Sequence, residues 1–339
     1  MMSKPALVGM TLDEIKKVCE NLHMPRFAAR EIALWIYRRG ATDFDHFTNI
    51  SKKERLLLAE TMEIGLVPFL KVNISNDGTK KYLFPVRDRF IESAYIPEIK
   101  RHTLCLSSQI GCKLGCQFCM TARQGFQGQL SAGQIVNQFL SIPERELITN
   151  IVFMGMGEPF DNISEVLKAL EILTAGYGMA ISSRKITIST VGIIPGMEQF
   201  ITESKCQLAI SLHSPFHEER ALLMPIEKIY PIQDVIDALK KFTFEKQRRI
   251  SFEYILFKGL NDSPRHVKQL ARLLNGLRCR INLIRFHKIP GSSLQSTDEK
   301  AIHEFRSRLD SKGITTTVRA SRGEDILAAC GLLSTKALI

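Results

Sequence analysis

No stretch of the 339 residues is long and apolar enough to cross a membrane, and the opening Met1-Met2-Ser3-Lys4-Pro5-Ala6-Leu7-Val8 lacks the apolar core of a secretion signal. These absences lead to the expectation of a cytoplasmic protein with no membrane partner. There is no low-complexity tract and no internal repeat, and a 45% hydrophobic content over this length buries one large domain plus a smaller one. Acidic residues are short: 35 Asp and Glu stand against 46 Lys and Arg, a formal charge of +11. The deficit is concentrated between Lys240 and Lys288, where thirteen basic residues (240, 241, 246, 248, 249, 258, 265, 268, 272, 278, 280, 285 and 288) meet only Glu245, Glu253 and Asp262. A basic face of this kind suits a polyanion, because each neutralised phosphate releases counterions. Eight cysteines, three of them in one loop, argue for reduced thiols serving metal and chemistry instead of a secreted disulfide scaffold.

Those three stand in Gly111-Cys112-Lys113-Leu114-Gly115-Cys116-Gln117-Phe118-Cys119-Met120, spaced by three residues and then two. A four-iron cubane ordinarily takes four thiolates, so three in one loop leave one iron open to a further molecule. A zinc knot and three unligated core thiols are the competing readings. Zinc asks for a fourth Cys or His at short range, and the nearest, His102 and Cys105, lie upstream in an expected strand. The spacing resembles the signature of the radical S-adenosylmethionine (SAM) enzymes. In these the open iron chelates the amino and carboxylate groups of SAM, and reduction of the cluster yields methionine and a deoxyadenosyl radical. Cys19, Cys206 and Cys279 carry no motif and read as buried thiols.

The chain divides into a helical module over 1–66, a β-hairpin linker region over 67–100, a βα portion over 101–321 and a C-terminal segment over 322–339. Helices are expected from Thr11, over Arg26 to Arg38 and from Ser51, with capping-type starts at Thr11 and Ser51. Strands at 69–74 and 80–84 flank Asn76-Asp77-Gly78, a hairpin signal, and a third runs from Phe90 to Ile96. From residue 102 strand-like runs (103–107, 150–154, 185–190, 207–213, 250–256, 280–286, 315–319) alternate with helical stretches such as 164–173, 232–242, 264–274 and 298–309. Repeated βα units predict an α/β fold with a parallel sheet, closed into a full or partial (β/α) barrel whose chemistry lies beyond the carboxyl ends of the strands.

The motifs fall at those ends. After the second barrel strand comes Met154-Gly155-Met156-Gly157-Glu158-Pro159, after the third Ser189-Thr190-Val191-Gly192, and after the fourth Ser211-Leu212-His213. Each alone suits a helix cap or a satisfied turn; together they converge on the mouth that holds the three cysteines. Two more thiols stand out. Cys105 lies on the first strand, and Cys330 sits in Arg322-Gly323-Glu324-Asp325-Ile326-Leu327-Ala328-Ala329-Cys330-Gly331. With the cluster run, these motifs and Asn282-Leu283-Ile284, the chain resembles the RlmN/Cfr family of radical SAM methyltransferases, which modify adenosine carbons in 23S ribosomal RNA. The matching residues run from Cys105 to Gly331, and the helical N-terminus fits the family's accessory RNA-binding module.

The resemblance implies one [4Fe-4S] cluster on Cys112, Cys116 and Cys119, and SAM bound by Gly157, Glu158, Ser189, Ser211, Leu212, His213 and His287. It also implies two SAM per turnover. Carbon 2 of adenine has no lone pair with which to take a methyl group, so the family moves the group twice. A Cys330 thiolate takes it from one SAM; a radical from a second SAM then activates the methylated Cys330, which adds to the base. Cys105 matches the cysteine that closes a disulfide with Cys330 to free the product, and Glu92 matches a proton acceptor. The implied partners are 23S rRNA, transfer RNA bearing an adenosine 3' of the anticodon, and an electron donor such as flavodoxin or ferredoxin. One departure is visible. Where the family has Asn after the Asn-Leu-Ile strand, this chain has Arg285-Phe286-His287-Lys288. Methylation of carbon 8 by the same thiols, as in ribosomal antibiotic resistance, and a non-catalytic iron-sulfur RNA-binding protein are the alternatives. A methylthiotransferase would need a second cluster, for which the N-terminal part offers only Cys19.

Overall fold

The computed structural model describes residues 4–244 and 250–335. Lys246, Arg248 and Arg249 of the basic segment lie outside the described residues. The chain opens with α1 (Leu12–Asn21), α2 (Ala28–Tyr37) and α3 (Lys52–Thr61). α1 and α3 start at capping boxes, Thr11 with Glu14 and Ser51 with Glu54, in which each side chain satisfies the other residue's main-chain N–H. Tyr37 fastens the module by donating its hydroxyl to Met10 O at 2.6 Å. The Glu14 carboxylate meets Lys168 Nζ of the sheet domain at 2.7 Å.

Ten strands make one sheet: β1 (Lys71–Ile74), β2 (Lys80–Val86), β3 (Arg89–Pro97), β4 (His102–Cys105), β7 (Asn150–Phe153), β8 (Ile186–Thr190), β9 (Gln207–Ser211), β10 (Ile250–Leu256), β11 (Cys279–Arg285) and β12 (Thr315–Val318). β5 (Gln109–Ile110) and β6 (Gly128–Gln129) form a separate antiparallel pair. The ladders β1·β2, β2·β3 and β3·β4 are antiparallel, and all from β4 to β12 are parallel. The 71–97 strands are thus an extension of the same sheet that carries the parallel strands. Among the described residues no ladder joins β12 back to the other edge, so the seven parallel strands make a partial barrel. Its helices are α4 (Met120–Gln124), α5 (Ala132–Leu140), α6 (Ile163–Thr174), α7 (Ile194–Glu203), α8 (His217–Leu223), α9 (Ile232–Lys240), α10 (Pro264–Leu273) and α11 (Glu299–Asp310). The apolar faces of α5, α6, α7, α9, α10 and α11 share one core with the strands, with Ile151, Ile188, Leu208, Phe252 and Leu283 fully buried in it, while α4 and α8 pack in a second cluster with Cys116, Ile255 and Ala329.

Two expectations change. β9 stops at Ser211 instead of reaching His213, because Leu212 N–H to Glu253 O (3.0 Å) is the last bond of its ladder and His213 then enters the left-handed region at φ 55°. The basic segment is not one face. Alternating βα topology sends Lys240, Lys241 and Arg278 to the amino ends of β10 and β11, and Lys258, Arg285 and Lys288 to the carboxyl ends; Arg265, Lys268 and Arg272 ride on α10.

Candidate functional site

The cysteine loop runs between β5 and β6, whose pairing closes its base. At Gly111 the chain turns with φ 71°, and a side chain there would run into the Gly125 carbonyl. The Cys112 N–H donates to that same carbonyl at 3.2 Å, and the Cys119 N–H to Cys116 O at 3.2 Å. Cys112 and Cys116 are buried, Cys119 half-buried. Burial pushes the Cys112 thiol up to about 12, and it raises Cys116 well above the ordinary range, with Cys119 and Cys112 adding to the rise. Thiols so placed become thiolates when a cation replaces the proton. Among the described residues no three Cys, His, Asp or Glu side chains converge as ligands of a single ion. A cubane takes its thiolates on separate irons, so three neighbouring thiols at one cavity wall fit it where they do not form a zinc knot.

That cavity, about 150 Å³, is bounded by the three cysteines, Gly157, Glu158, Ser189, Ser211, His213, Glu253 and Cys330 among others. Gly157 has φ 98° and lies so close to Gln109 that a Cβ would clash at 2.5 Å. Glu158 is buried; its Oε1 accepts from Phe160 N–H and its Oε2 from Val191 N–H, both at 3.0 Å. Burial pushes its carboxyl up to about 7 against those bonds. His213 accepts the Ile255 N–H on Nδ1 (3.0 Å), and burial pushes its pKa down to about 3. The ring is therefore neutral with its proton on Nε2, a donor. Leu212 is placed differently: its side chain is in the core, its N–H is bound to Glu253 O, and its carbonyl accepts from Arg220 Nε at 3.1 Å.

A second cavity, about 350 Å³, adjoins the first through shared walls at Met154, Ile284, Cys330 and Leu333. Cys105 lines it from β4, and Cys330 lines both cavities; both thiols are free. Burial pushes Cys105 up to about 12. Cys330 is exposed as a residue, yet protein around its sulfur raises that thiol too, with Arg319 opposing the rise. His287 is brought to this second cavity and not to the cluster cavity. Its Nε2 meets Ser321 Oγ at 2.7 Å and its Nδ1 lies 3.2 Å from Glu324 Oε1, so it moors the C-terminal segment. Glu92 lines neither cavity. Its Oε1 pairs with Lys81 Nζ and its Oε2 accepts the Ser334 N–H, both at 3.0 Å; burial raises its carboxyl and Lys81 opposes.

Three residues escaped the sequence reading. Arg220, fully buried, donates to Leu212 O, Val191 O (2.7 Å) and Ser211 O (2.9 Å) and pairs with Glu227, tying the ends of β8 and β9 together. Glu253 is an acid inside a strand whose seven residues are all buried, and Arg319 follows β12 with its side chain between Glu253 and Cys330. A carboxylate in the apolar run Ile250-Ser251-Phe252-Glu253-Tyr254-Ile255-Leu256 was the signal on offer.

Residues 106–274 match the Radical SAM superfamily model, and residues 6–64 match the Ribosomal RNA large subunit methyltransferase N-terminal domain. Among curated proteins, the chain is 55% identical over 333 residues to a "Probable dual-specificity RNA methyltransferase RlmN" of Porphyromonas gingivalis, covering 98% of this chain and 94% of the relative. It is 43% identical over 342 residues to the "Dual-specificity RNA methyltransferase RlmN" of Syntrophus aciditrophicus, covering 99% and 98%. A solved radical SAM methyltransferase from Sphaerobacter thermophilus superposes with a TM-score of 0.91 at 38% identity, over 97% of this chain and 99% of that one. Membership of the superfamily implies a [4Fe-4S] cluster and SAM, which the cysteine loop and its cavity fit, and the chain belongs to the RlmN family of radical SAM RNA methyltransferases.

Proposed function

We propose that this enzyme methylates carbon 2 of an adenosine in the peptidyl transferase centre of 23S rRNA, and of the adenosine 3' of the anticodon in some transfer RNAs. Cys330 is the methyl carrier and Cys105 the resolving thiol. The observation that carries the reading is the position of Cys330, which walls the cluster cavity on one side and shares the second cavity with Cys105 on the other. One sulfur is thus presented both to the place where SAM fits and to the place where a second thiol waits. The curated relatives' dual-specificity names favour two RNA substrates.

Cys112, Cys116 and Cys119 would hold the cluster, and Gly157, Glu158, Ser189, Ser211 and His213 would orient SAM. When bound, the cluster supplies an electron, and two SAM per turnover supply the methyl group and the radical. Cys330 as thiolate takes the methyl group; Cys105 as thiolate later attacks the Cys330 sulfur, forming the S–S bond as the sulfur–carbon bond to the base adduct breaks with its electron pair left on carbon, which takes a proton to become the new methyl group, and an external thiol reductant reopens the disulfide. Glu92 is the proposed proton acceptor, kept beside the carrier segment by its bond to Ser334. A flavodoxin or ferredoxin in the cytoplasm is the proposed reductant. An adenine must leave its stack to reach a barrel mouth, which suits an unpaired adenosine.

The two thiols must fail differently. Cys330→Ala should give no methylated cysteine and no methylated RNA while retaining the cluster. Cys105→Ala should remain covalently joined to RNA through Cys330 and appear, after ribonuclease, as a nucleotide adduct by mass spectrometry. Normal turnover by Cys105→Ala, or 8-methyladenosine in place of 2-methyladenosine in the digest, would overturn the corresponding part.

A further inference from the structure

We infer that Glu253 and Arg319 form a positioning pair that holds the Cys330 sulfur for methyl acceptance; the inference rests on the carrier role proposed for Cys330. Thr317 Oγ1 donates to Asn282 Oδ1 at 2.6 Å. Asn282 Nδ2 donates to Glu253 Oε1 at 2.7 Å, and Ser251 Oγ donates to the same oxygen at 3.3 Å. Glu253 Oε2 faces Arg319 Nε at 3.8 Å. Arg319 Nη1 donates to Met154 Sδ at 3.3 Å, its side chain lines the second cavity together with Cys330, and its main-chain N–H is fixed on Leu283 O at 2.9 Å. The result is a polar chain across β10, β11 and β12 that ends at the cavity wall shared with the carrier thiol.

Packing does not ask for this chain. Glu253 and Asn282 are buried, and a buried carboxylate is costly unless it is bonded and paired. The hydrogen bonds to Glu253 Oε1 leave Oε2 with no hydrogen-bond partner among the described residues, free to act on Arg319 by charge. Such anchoring takes rotamer freedom from a long side chain that must hold one atom in place.

The signs of the charges make the idea testable. Cys330 shares the second cavity with Cys105, Arg319, Glu98, Arg101, His287 and Arg322, and the cluster cavity with Glu253, Glu158, His213 and the three loop cysteines. Arg319 favours the thiolate, whereas Glu253 by charge alone disfavours it. A Glu253 that mattered only as a charge would therefore slow Cys330, and its removal would speed it. A Glu253 that matters by holding Arg319 has the opposite sign. In the step served, Cys330 gives its proton to solvent, its sulfur forms the bond to the SAM methyl carbon, and the sulfonium bond breaks with its electron pair left on S-adenosylhomocysteine.

The test is iodoacetamide alkylation of the unmethylated fraction of Cys330 in anaerobically reconstituted enzyme, followed by peptide mass spectrometry from pH 6 to 10. Arg319→Gln should slow alkylation at pH 7 about tenfold and move the midpoint up about one pH unit. Glu253→Gln should also slow it, Thr317→Val by about threefold, and Arg319→Lys less than Arg319→Gln. Where a variant loses its cluster absorbance, Arg319→Lys and Thr317→Val carry the comparison. Faster alkylation in Glu253→Gln, or unchanged profiles in Arg319→Gln and Arg319→Lys, would overturn the pair. The carrier role fails separately: it is refuted if wild-type Cys330 remains unmethylated with SAM and reductant, whatever the alkylation profile.

Discussion

At the residue scale, His213 shows how burial selects a chemical form. Its ring is buried, packs edge-on to Phe118 at 4.7 Å and accepts the Ile255 N–H, so protonation would break a bond and bury a charge. Its pKa falls from 6.5 to about 3. Across that window the unfolded chain binds a proton that the folded chain refuses, so this residue's contribution makes stability rise with pH, by at most ~1.4 kcal/mol per pH unit, and become level above 6.5. His213→Gln keeps an acceptor and loses the titration. Denaturant unfolding of both proteins from pH 4 to 7 should show a steeper slope in the wild type, and equal slopes would contradict the buried neutral ring.

At the element scale, the strand ends that carry Val191 and Ser211 are held by one arginine. Arg220 spends its donors on three carbonyls and one carboxylate, and Glu227 in turn accepts the Ile232 N–H at the start of α9. Arg220→Met should cost roughly 3–5 kcal/mol, since it leaves the buried Glu227 with only the half-exposed His217 (3.0 Å) across from it. Adding Glu227→Leu should return part of that loss in urea unfolding, and a single-variant loss below about 1 kcal/mol would mean the pair is incidental. A second element-scale device straps the Cys330 segment to the hairpin. Asp77 Oδ2 accepts the Gly323 N–H at 2.9 Å, and Asp325 accepts from Ser75 Oγ at 2.5 Å and from Asn76 N–H at 3.1 Å. Asp77→Ala should speed amide exchange at Gly323 and Ala328 while leaving β8 unchanged. Equal exchange in the two proteins would show that the hairpin does not hold the segment.

At the scale of the whole molecule, charge is distributed by topology. In the proposed mechanism RNA approaches the carboxyl ends of the strands, where Lys258, Arg285 and Lys288 stand, while Lys240 and Lys241 stand at the other end. Charge reversal at the first three should lower the salt dependence of RNA binding by roughly 0.7–0.9 of a log unit per lost phosphate contact. Reversal at Lys240 and Lys241 should leave the slope unchanged, and a larger effect there than at Lys258, Arg285 and Lys288 would place RNA on the opposite end.

The sequence by itself determined the local chemistry. Three cysteines within eight residues, capping boxes at Thr11 and Ser51, the Asn76-Asp77-Gly78 turn and the alternation of strand and helix are short-range patterns, and each is found where its residues place it. The family motifs supplied Cys105 and Cys330 as a pair although 225 positions separate them, and the fold does set both on one cavity. What only tertiary structure decided is how polar groups on different elements meet. Arg220 lies on a helix surface in sequence and fully buried in the fold, His287 turns to Ser321 and Glu324 instead of the cluster cavity, and Glu253 of β10 reaches Arg319 across β11. The reason is physical. Periodicity reports which face of an element is apolar, whereas a buried ion pair depends on register, crossover and chain return, which no single segment encodes.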